Sequence, residues 1–508
     1  MKTILAHLPA VLLAVLLEIM NPDAIAGGRA IGLEQSKTEV IAALDSTVPY
    51  LMAKARIPGL SVALIWDGEV AWEKGYGTRN KVTGEPVDTQ TVFEAASLTK
   101  PFFAALAMTL VGSGLLDLDR PLVEYIPKDS IESGMGHAFD YPGFRADWAN
   151  RITPRMVLSH SSGLPHGQRG KPYPILFEPG TRFSYSADGY FMLQKAIERL
   201  LGEPLAETMR KRLIQPLHMD RSSMVWEDRF STNAAVGHSL LGISNGSVRK
   251  YAEANAAASL YTTAGDYARF VAALMSGSFP GSPPVDLMFT PQITVADSVS
   301  WSLGFGIERT SSGAAFFQWG DYGIFRNFIV ALRGQRRALV YLTNSFYGLA
   351  IGKDLVPAAM GFKEDFGLRW LHYEPYDSEI STFFYAIVER QAEESVPLYH
   401  ELRTKNSPAT GEDVVNMIGY ELLRNGAHDK ALVFFELNTK AYPNSANTYD
   451  SMGEACETMG DLARAAACYQ KAVDVLPSDT TRNEASKARL KEVFQKNLAR
   501  VTGGKKPE

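Results

Sequence analysis

The sequence predicts an α+β domain over residues 36–376 followed by an all-α repeat domain. Two observations point to the first. Strand-like runs open and close the segment, and helix-like apolar runs fill its middle, so one sheet assembled from both ends and covered by helices is the simplest arrangement. One observation points to the second: Gly419, Gly426, Ala431, Phe435 and Pro443 recur 34 residues later as Gly453, Gly460, Ala465, Tyr469 and Pro477.

Composition narrows the function classes before any motif is considered. The chain has 508 residues, 46% of them hydrophobic, which is enough for two or three domains with sizeable cores. A net charge of -5 leaves no electrostatic footprint for nucleic acid. Two cysteines in this length exclude a disulfide-framed fold. At the N-terminus, Lys2 precedes an apolar run over 4–17 interrupted by His7 and Pro9, and Ala24-Ile25-Ala26 fits a small-x-small cleavage site. The run is too short to span a bilayer, and Glu18 weighs against an uncleaved anchor. A signal peptide over 1–26 and an exported chain, periplasmic or secreted, are expected.

In chain order, residues 61–66 read as a strand, Asp67-Gly68 as a turn and 69–76 as the returning strand of a hairpin. Residues 127–152 show no periodicity; long segments without structure of their own are often lids or binding loops. Residues 164–180 form a loop rich in proline and glycine. Helices are expected over 191–201 and over 263–275, the second opened by Thr263-Ala264-Gly265-Asp266. Strands follow over 303–308, 314–319, 325–333 and 337–343.

The domain is organised around Phe93-Glu94-Ala95-Ala96-Ser97-Leu98-Thr99-Lys100, where a strand-like run gives way to a helical one. Positions i and i+3 share a helix face, so the Ser97 hydroxyl and the Lys100 amine can meet. An alcohol is a weak nucleophile near neutral pH, and a lysine whose charge is disfavoured by burial can be its base. Pro101 is tolerated only in a first turn, so the helix should start near Ser97 and run through the apolar residues up to Gly112-Ser113-Gly114. A serine there sits where the helix dipole favours developing negative charge. A plain helix cap is the other reading of the same position. A second Ser-x-x-Lys, Ser247 to Lys250, follows the turn pair Asn245-Gly246 with no apolar helix behind it and reads as a solvated loop.

In the second domain, small residues at helix crossings, an aromatic on the second helix and a closing proline are the tetratricopeptide pattern. Each helix pair cannot bury its apolar face alone, so units stack. Residues 377–406 are expected to connect the domains as a helix, and 407–508 to hold two repeats with a C-terminal capping helix. Cys456 and Cys468 fall on partner helices of the second repeat. Two buried thiols are expected there, and a disulfide is the alternative in an exported protein. Two units make only a small groove, which favours docking on the first domain or self-association over capture of a protein partner.

Several ordered motifs resemble one family. They are the Ser97 stretch, Leu158-Ser159-His160-Ser161-Ser162-Gly163-Leu164-Pro165, Phe183-Ser184-Tyr185-Ser186, Pro216-Leu217-His218-Met219, residues 258–270 and Leu342-Thr343-Asn344. Over about 57–344 they resemble the serine hydrolases related to class C β-lactamases, penicillin-binding D-alanyl-D-alanine peptidases and their esterase cousins. The resemblance implies a β-lactamase/transpeptidase-like fold, a helical lobe beside an antiparallel sheet with flanking helices. It also implies three motifs. Ser-x-x-Lys is met by Ser97 and Lys100. Tyr-x-Asn is met by Tyr185, with Ala187 at the asparagine position. The strand motif, Lys-Thr-Gly or His-x-Gly, stands here as Gln318-Trp319-Gly320.

The resemblance implies an acyl-enzyme mechanism without metal or cofactor. Ser97 is the nucleophile, Lys100 and Tyr185 share the proton transfers, and the N–H groups of Ser97 and Asp321 hold the oxyanion. His160, in the family's turn, is expected to hydrogen-bond within its own loop. The departures also inform. Ala187 cannot bond a substrate amide, Gln318 is neutral where the family faces a carboxylate, and Trp319 adds a flat apolar face. Arg326 is either a remaining substrate cation or a surface charge. The expected activity is therefore hydrolysis of small carboxylic esters. A β-lactamase or D-alanyl-D-alanine peptidase is the alternative, and a degenerate binding module with working repeats is the second.

Overall fold

The computed structural model describes residues 35–126, 146–167, 175–244, 246, 248–281, 283–361, 367–390 and 392–503. The expected signal peptide, most of the aperiodic 127–152 segment, Ser247 of the second Ser-x-x-Lys and part of the 164–180 loop lie outside these residues.

The first domain has the hairpin β1 (Gly59–Trp66) and β2 (Glu69–Gly77), the short strands β3 (Phe93–Glu94) and β4 (Tyr261–Thr262), and a late run of six. These are β5 (Ile293–Thr294), β6 (Val299–Trp301), β7 (Gly306–Thr310), β8 (Gly313–Asp321), β9 (Arg326–Leu332) and β10 (Arg337–Thr343). Eight of them form one sheet in the order β2-β1-β10-β9-β8-β7-β6-β5, while β3 and β4 pair separately. The hairpin turns at Asp67 and Gly68, with φ of 55° and 84°, the mirror-image turn whose twist matches antiparallel strands. β1 pairs antiparallel with β10, Val62 opposite Tyr341, so the two ends of the domain join in one sheet as the sequence implied.

Both faces of this sheet are covered, which is why β1 and β10 read as continuous apolar runs rather than alternating ones. Leu60, Val62, Leu64, Phe328 and Tyr341 face the N-terminal helix α1 (Lys37–Ala55) and the later α6 (Gly352–Met360). Ala63, Ile65, Ile329 and Ala331 face the cluster built around the central helix α2 (Thr99–Gly112) and α5 (Ala264–Ser276). Every residue of α2 from Thr99 to Leu110 is buried, so its sequence is apolar on all sides except at Thr99, Lys100 and Thr109. Between these helices lie α3 (Pro154–Leu158) and α4 (Asp188–Leu201). The strand expected over 303–308 starts later, at Gly306. Gly304 has a φ of 103°, and a Cβ there would lie 2.7 Å from Ala104 of α2.

After α7 (Leu368–Leu371) the chain is helical: α8 (Glu379–Glu389), α9 (Ala392–Thr404), α10 (Glu412–Arg424), α11 (His428–Ala441), α12 (Ala446–Thr458), α13 (Leu462–Val475) and α14 (Glu484–Val501). The connection over 377–406 is two helices rather than one, because Arg390 takes an extended backbone that ends α8. The pairs α10–α11 and α12–α13 superpose in sequence at an offset of 34 residues, boundary for boundary. The repeated glycines have one cause. A Cβ on Gly419 would sit 2.6 Å from the Phe435 ring, and one on Gly453 would sit 2.7 Å from the Tyr469 ring. Cys456 and Cys468 are both buried free thiols, and burial raises the Cys468 pKa to about 11.

The helical region docks on the first domain. Leu240 and Leu241 share a buried cluster with Phe383, Phe384, Ile418 and Phe434. Arg56 lies 4.2 Å over the Tyr385 ring and pairs with Glu389 at 2.7 Å.

Candidate active site

Ser97 lies in a 3-10 turn, Ala96–Leu98, that runs directly into α2 and puts Pro101 in the helix's first turn. Ala96 has a φ of 50°, a left-handed conformation that costs a non-glycine residue about 1–2 kcal/mol. Surrounding hydrogen bonds hold the bend. Thr99 Oγ1 donates to Ala96 O at 2.6 Å and accepts from the Leu260 N–H at 3.0 Å, while the Ala95 N–H donates to Leu260 O at 2.9 Å. Tyr267 donates to Leu98 O at 2.8 Å.

Lys100, one turn on, is only 1% exposed. Its Nζ lies 3.0 Å from Ser97 Oγ and 3.0 Å from Ala257 O. Burial lowers its pKa from 10.5 to about 7, opposed in part by the Asp188 carboxylate at the start of α4. A lysine in this state has a large neutral fraction at physiological pH and can accept a proton.

Tyr185 brings its phenol to the same point. Its hydroxyl accepts from Gln318 Nε2 at 2.7 Å and lies close enough to Ser97 to interact with it, and its ring faces Lys100 Nζ at 4.8 Å. Burial raises the phenol's pKa well above its ordinary value, so Tyr185 stays protonated at neutral pH. The expectation for His160 needs correction. Instead of bonding within its own loop, it reaches the segment that carries Tyr185. His160 Nδ1 accepts from the Ser186 N–H at 3.0 Å, its carbonyl accepts from the Ser184 N–H at 2.8 Å, and its ring stacks on Tyr185 with centroids 4.2 Å apart. A φ of 56° at His160 makes this turn toward Tyr185. Ala187 is the first residue before α4 and makes no cap bond; Ser186 Oγ accepts from the Gly189 N–H instead.

The third-motif strand β8 divides by its alternation. Gln318 and Gly320 face the serine. The Gln318 side chain is fully buried, and Nε2 also lies 3.3 Å from Ser97 O. A Cβ on Gly320 would lie 2.1 Å from Ala95 O, so only glycine lets β8 pack against the residues before Ser97. Trp319 and Asp321 face the other way. Trp319 packs on Tyr185 at 4.9 Å and on Trp370 of α7 at 5.8 Å. Asp321 ends the strand, and Arg326 Nε donates to its Oδ1 at 3.1 Å. Arg326 is thus neither a loose surface charge nor an uncommitted cation, since its Nη1 also donates to Phe346 O at 2.7 Å.

The structure therefore brings Ser97, Lys100, Tyr185 and Gln318 together, with Trp319, Gly320 and Asp321 along the adjoining strand. Residues not anticipated from sequence are Asp188, Ala257, Trp301, Trp370 and Tyr373. Their contacts span long sequence separations and leave no local pattern. Among the described residues, no group of three His, Cys, Asp or Glu side chains is placed to hold a metal.

Comparison with known proteins agrees with this geometry. The family model described as Beta-lactamase matches residues 44–359, more than half of the chain. Penicillin-binding protein 4 of Amycolatopsis lactamdurans is 28% identical over 204 residues, covering 37% of this chain and 50% of that protein. Esterase EstB of Burkholderia gladioli is 26% identical over 196 residues, 35% of this chain and 50% of that protein. D-aminopeptidase of Gluconobacter oxydans is 27% identical over 201 residues, 39% of this chain and 38% of that protein. The chain thus spans half or less of the length of these curated relatives. Among solved structures, the octameric penicillin-binding protein homologue from Pyrococcus abyssi has a TM-score of 0.51 at 23% identity, covering 61% of this chain and 77% of that one. The D-alanine carboxypeptidase AmpC from Burkholderia cenocepacia has a TM-score of 0.55 at 19% identity, covering 64% and 99%. These likenesses establish a β-lactamase/transpeptidase fold, and with the family match over residues 44–359 the chain belongs to the beta-lactamase family.

Proposed function

We propose that this protein is a serine hydrolase that works through an acyl-enzyme and acts on small carboxylic esters. The observation that carries the proposal is the buried Lys100 amine, 3.0 Å from Ser97 Oγ with a pKa lowered to about 7. In the acylation step Ser97 Oγ forms a bond to the ester carbonyl carbon while its proton passes to neutral Lys100 Nζ. Tyr185, protonated and beside Ser97, passes a proton to the leaving alkoxide as the C–O bond breaks. The oxyanion rests on the N–H groups of Ser97 and Asp321, each such donor being worth about 3–4 kcal/mol of barrier. Water then attacks the acyl carbon as the Tyr185 phenolate takes its proton; the bond from that carbon to Ser97 Oγ breaks, Lys100 returns its proton to Ser97 Oγ, and the carboxylic acid leaves.

The ester preference rests on what the described residues have available for a peptide or β-lactam. Arg326 is committed to Asp321 and Phe346 O, Gln318 commits its amide nitrogen to Tyr185 and is neutral, and Ala187 has no polar group. The wall beside them is aromatic: Trp319, Trp370 and Phe183. A carboxylate-bearing leaving group finds little complement in this set, whereas an apolar alcohol does. The relatives bear the names penicillin-binding protein, esterase and D-aminopeptidase, so the names leave the choice to the site. The test is turnover of a short-chain p-nitrophenyl ester and of a chromogenic cephalosporin by the wild type and Ser97→Ala. Ester turnover lost in the variant, with little cephalosporin turnover, supports the proposal. Comparable cephalosporin turnover moves the assignment to a β-lactamase, and no serine-dependent turnover of either leaves a narrow peptidase or a binding module.

The 34-residue helix pairs are proposed as tetratricopeptide repeats, supported by the matching Gly419–Phe435 and Gly453–Tyr469 contacts. Residues 1–26 are proposed as a signal peptide for export to the periplasm or beyond, which N-terminal sequencing of protein from a periplasmic extract would test.

A further inference from the structure

We propose that Tyr373, outside the family-matched region, is a positioning residue that holds the oxyanion end of β8 through Asp321. The proposal rests on the acyl-enzyme reading above. Asp321 is the last residue of β8 and pairs with Arg326, the first of β9, across a four-residue turn. Three donors converge on its carboxylate. Tyr373 OH donates to Oδ2 at 2.6 Å, while Arg326 Nε at 3.1 Å and the Gly323 N–H at 2.6 Å donate to Oδ1. Charge-assisted bonds of this kind are the strong ones, and three of them on one side chain fix the backbone that carries it. The same backbone carries the N–H assigned to the oxyanion.

The donors are themselves anchored. The Arg326 guanidinium lies 3.7 Å over the Phe346 ring and 4.8 Å from the Tyr373 ring, and Phe346 packs against the buried cluster shared with the helical domain. Burial beside Asp321 raises the Tyr373 pKa above its ordinary value, so its hydroxyl remains a donor at neutral pH. Trp370, three residues earlier, packs on Trp319 at 5.8 Å, on Phe183 at 5.9 Å and on Trp301 at 6.1 Å. Trp319 and Asp321 share one face of β8, so the chain after the family-matched region braces that face at two successive outward positions. The end of the first domain, beyond the family-matched region, is thereby built into the active site.

The experiment is a double-mutant cycle on ester hydrolysis with wild type, Tyr373→Phe, Asp321→Ala and the double variant, together with the rate at which a fluorophosphonate labels Ser97. Tyr373→Phe keeps the ring and its packing. It is expected to lower kcat about tenfold with KM within about twofold, less than the 10²–10³ that follows outright loss of an oxyanion donor. Fluorophosphonate labelling should slow in parallel, because it also develops charge in that pocket. The double variant should be no slower than Asp321→Ala alone. A Tyr373→Phe kcat within twofold of wild type would overturn the proposal, as would a penalty undiminished in the Asp321→Ala background. If Asp321→Ala fails to fold, the Tyr373→Phe kcat and labelling rate decide alone. Wild-type protein with neither serine-dependent turnover nor labelling at Ser97 would overturn the acyl-enzyme reading itself.

Discussion

Burying Lys100 should cost the protein stability, and the cost should vary with pH in a defined direction. Its pKa falls from 10.5 to about 7 on folding. Below pH 7 both states hold the proton, and the folded state bears the full penalty, about 5 kcal/mol. Between pH 7 and 10.5 the unfolded chain holds the proton while the folded chain increasingly does not, so stability rises with pH at about 1.4 kcal/mol per unit. Lys100→Met removes the titration and keeps most of the volume. It also leaves Ala257 O without its partner, a loss of about 1–3 kcal/mol, so the variant should be more stable than wild type at pH 7 by about 2 kcal/mol. The assay is urea unfolding of both proteins at pH 7 and pH 8.5. The advantage of Lys100→Met should shrink by about 2 kcal/mol over that interval. An advantage independent of pH, or one that grows with pH, would refute a buried lysine titrating near 7. The same titration governs rate. The base must be neutral, so kcat/KM should rise with pH through about 7 and level off above it, and Lys100→Met should lose about 10³-fold in kcat.

Other expectations follow from single contacts. Tyr185→Phe removes the hydroxyl bonded to Gln318 beside Ser97 and should lower kcat by about 10²–10³ with a small change in KM, read in steady-state ester hydrolysis. Gly320→Ala places a methyl 2.1 Å from Ala95 O, and it should cost about 3 kcal/mol in urea unfolding and abolish turnover by pushing β8 away from Ser97. Gly453→Ala meets the Tyr469 ring at 2.7 Å; it should lower the unfolding temperature of the helical region while fluorophosphonate labelling at Ser97 is retained.

How far the sequence could be read depended on how local each cause was. Ser97 and Lys100 were legible because a helix places i and i+3 together, and the burial that tunes the lysine shows as an unbroken apolar run after Pro101. The repeats were legible because a glycine under an aromatic ring, Phe435 in one unit and Tyr469 in the next, leaves the same pairing of residue types at the same spacing. The hairpin showed in Asp67-Gly68, and β8 to β10 in their apolar runs, whereas β5 and β6 are too short for any pattern to register. Tyr185 was identifiable through the ordered family motifs, since nothing local separates it from a packed tyrosine. His160 meets Ser186 across 26 residues, and Tyr373 meets Asp321 across 52. Contacts of that separation are made by the finished fold and leave no period in the chain. Arg326 illustrates the same limit: sequence showed a cation near the third motif, but only the packing of Asp321 and Phe346 shows that the charge is already spent.

The most direct measurement of the central claim is the mass of the covalent intermediate. Protein quenched in acid during turnover of a p-nitrophenyl ester should carry one added acyl group. Peptide mapping should place it on Ser97, and Ser97→Ala should carry none. An adduct on another residue, or serine-independent turnover with no adduct, would contradict the assignment of Ser97 and Lys100 as the working pair.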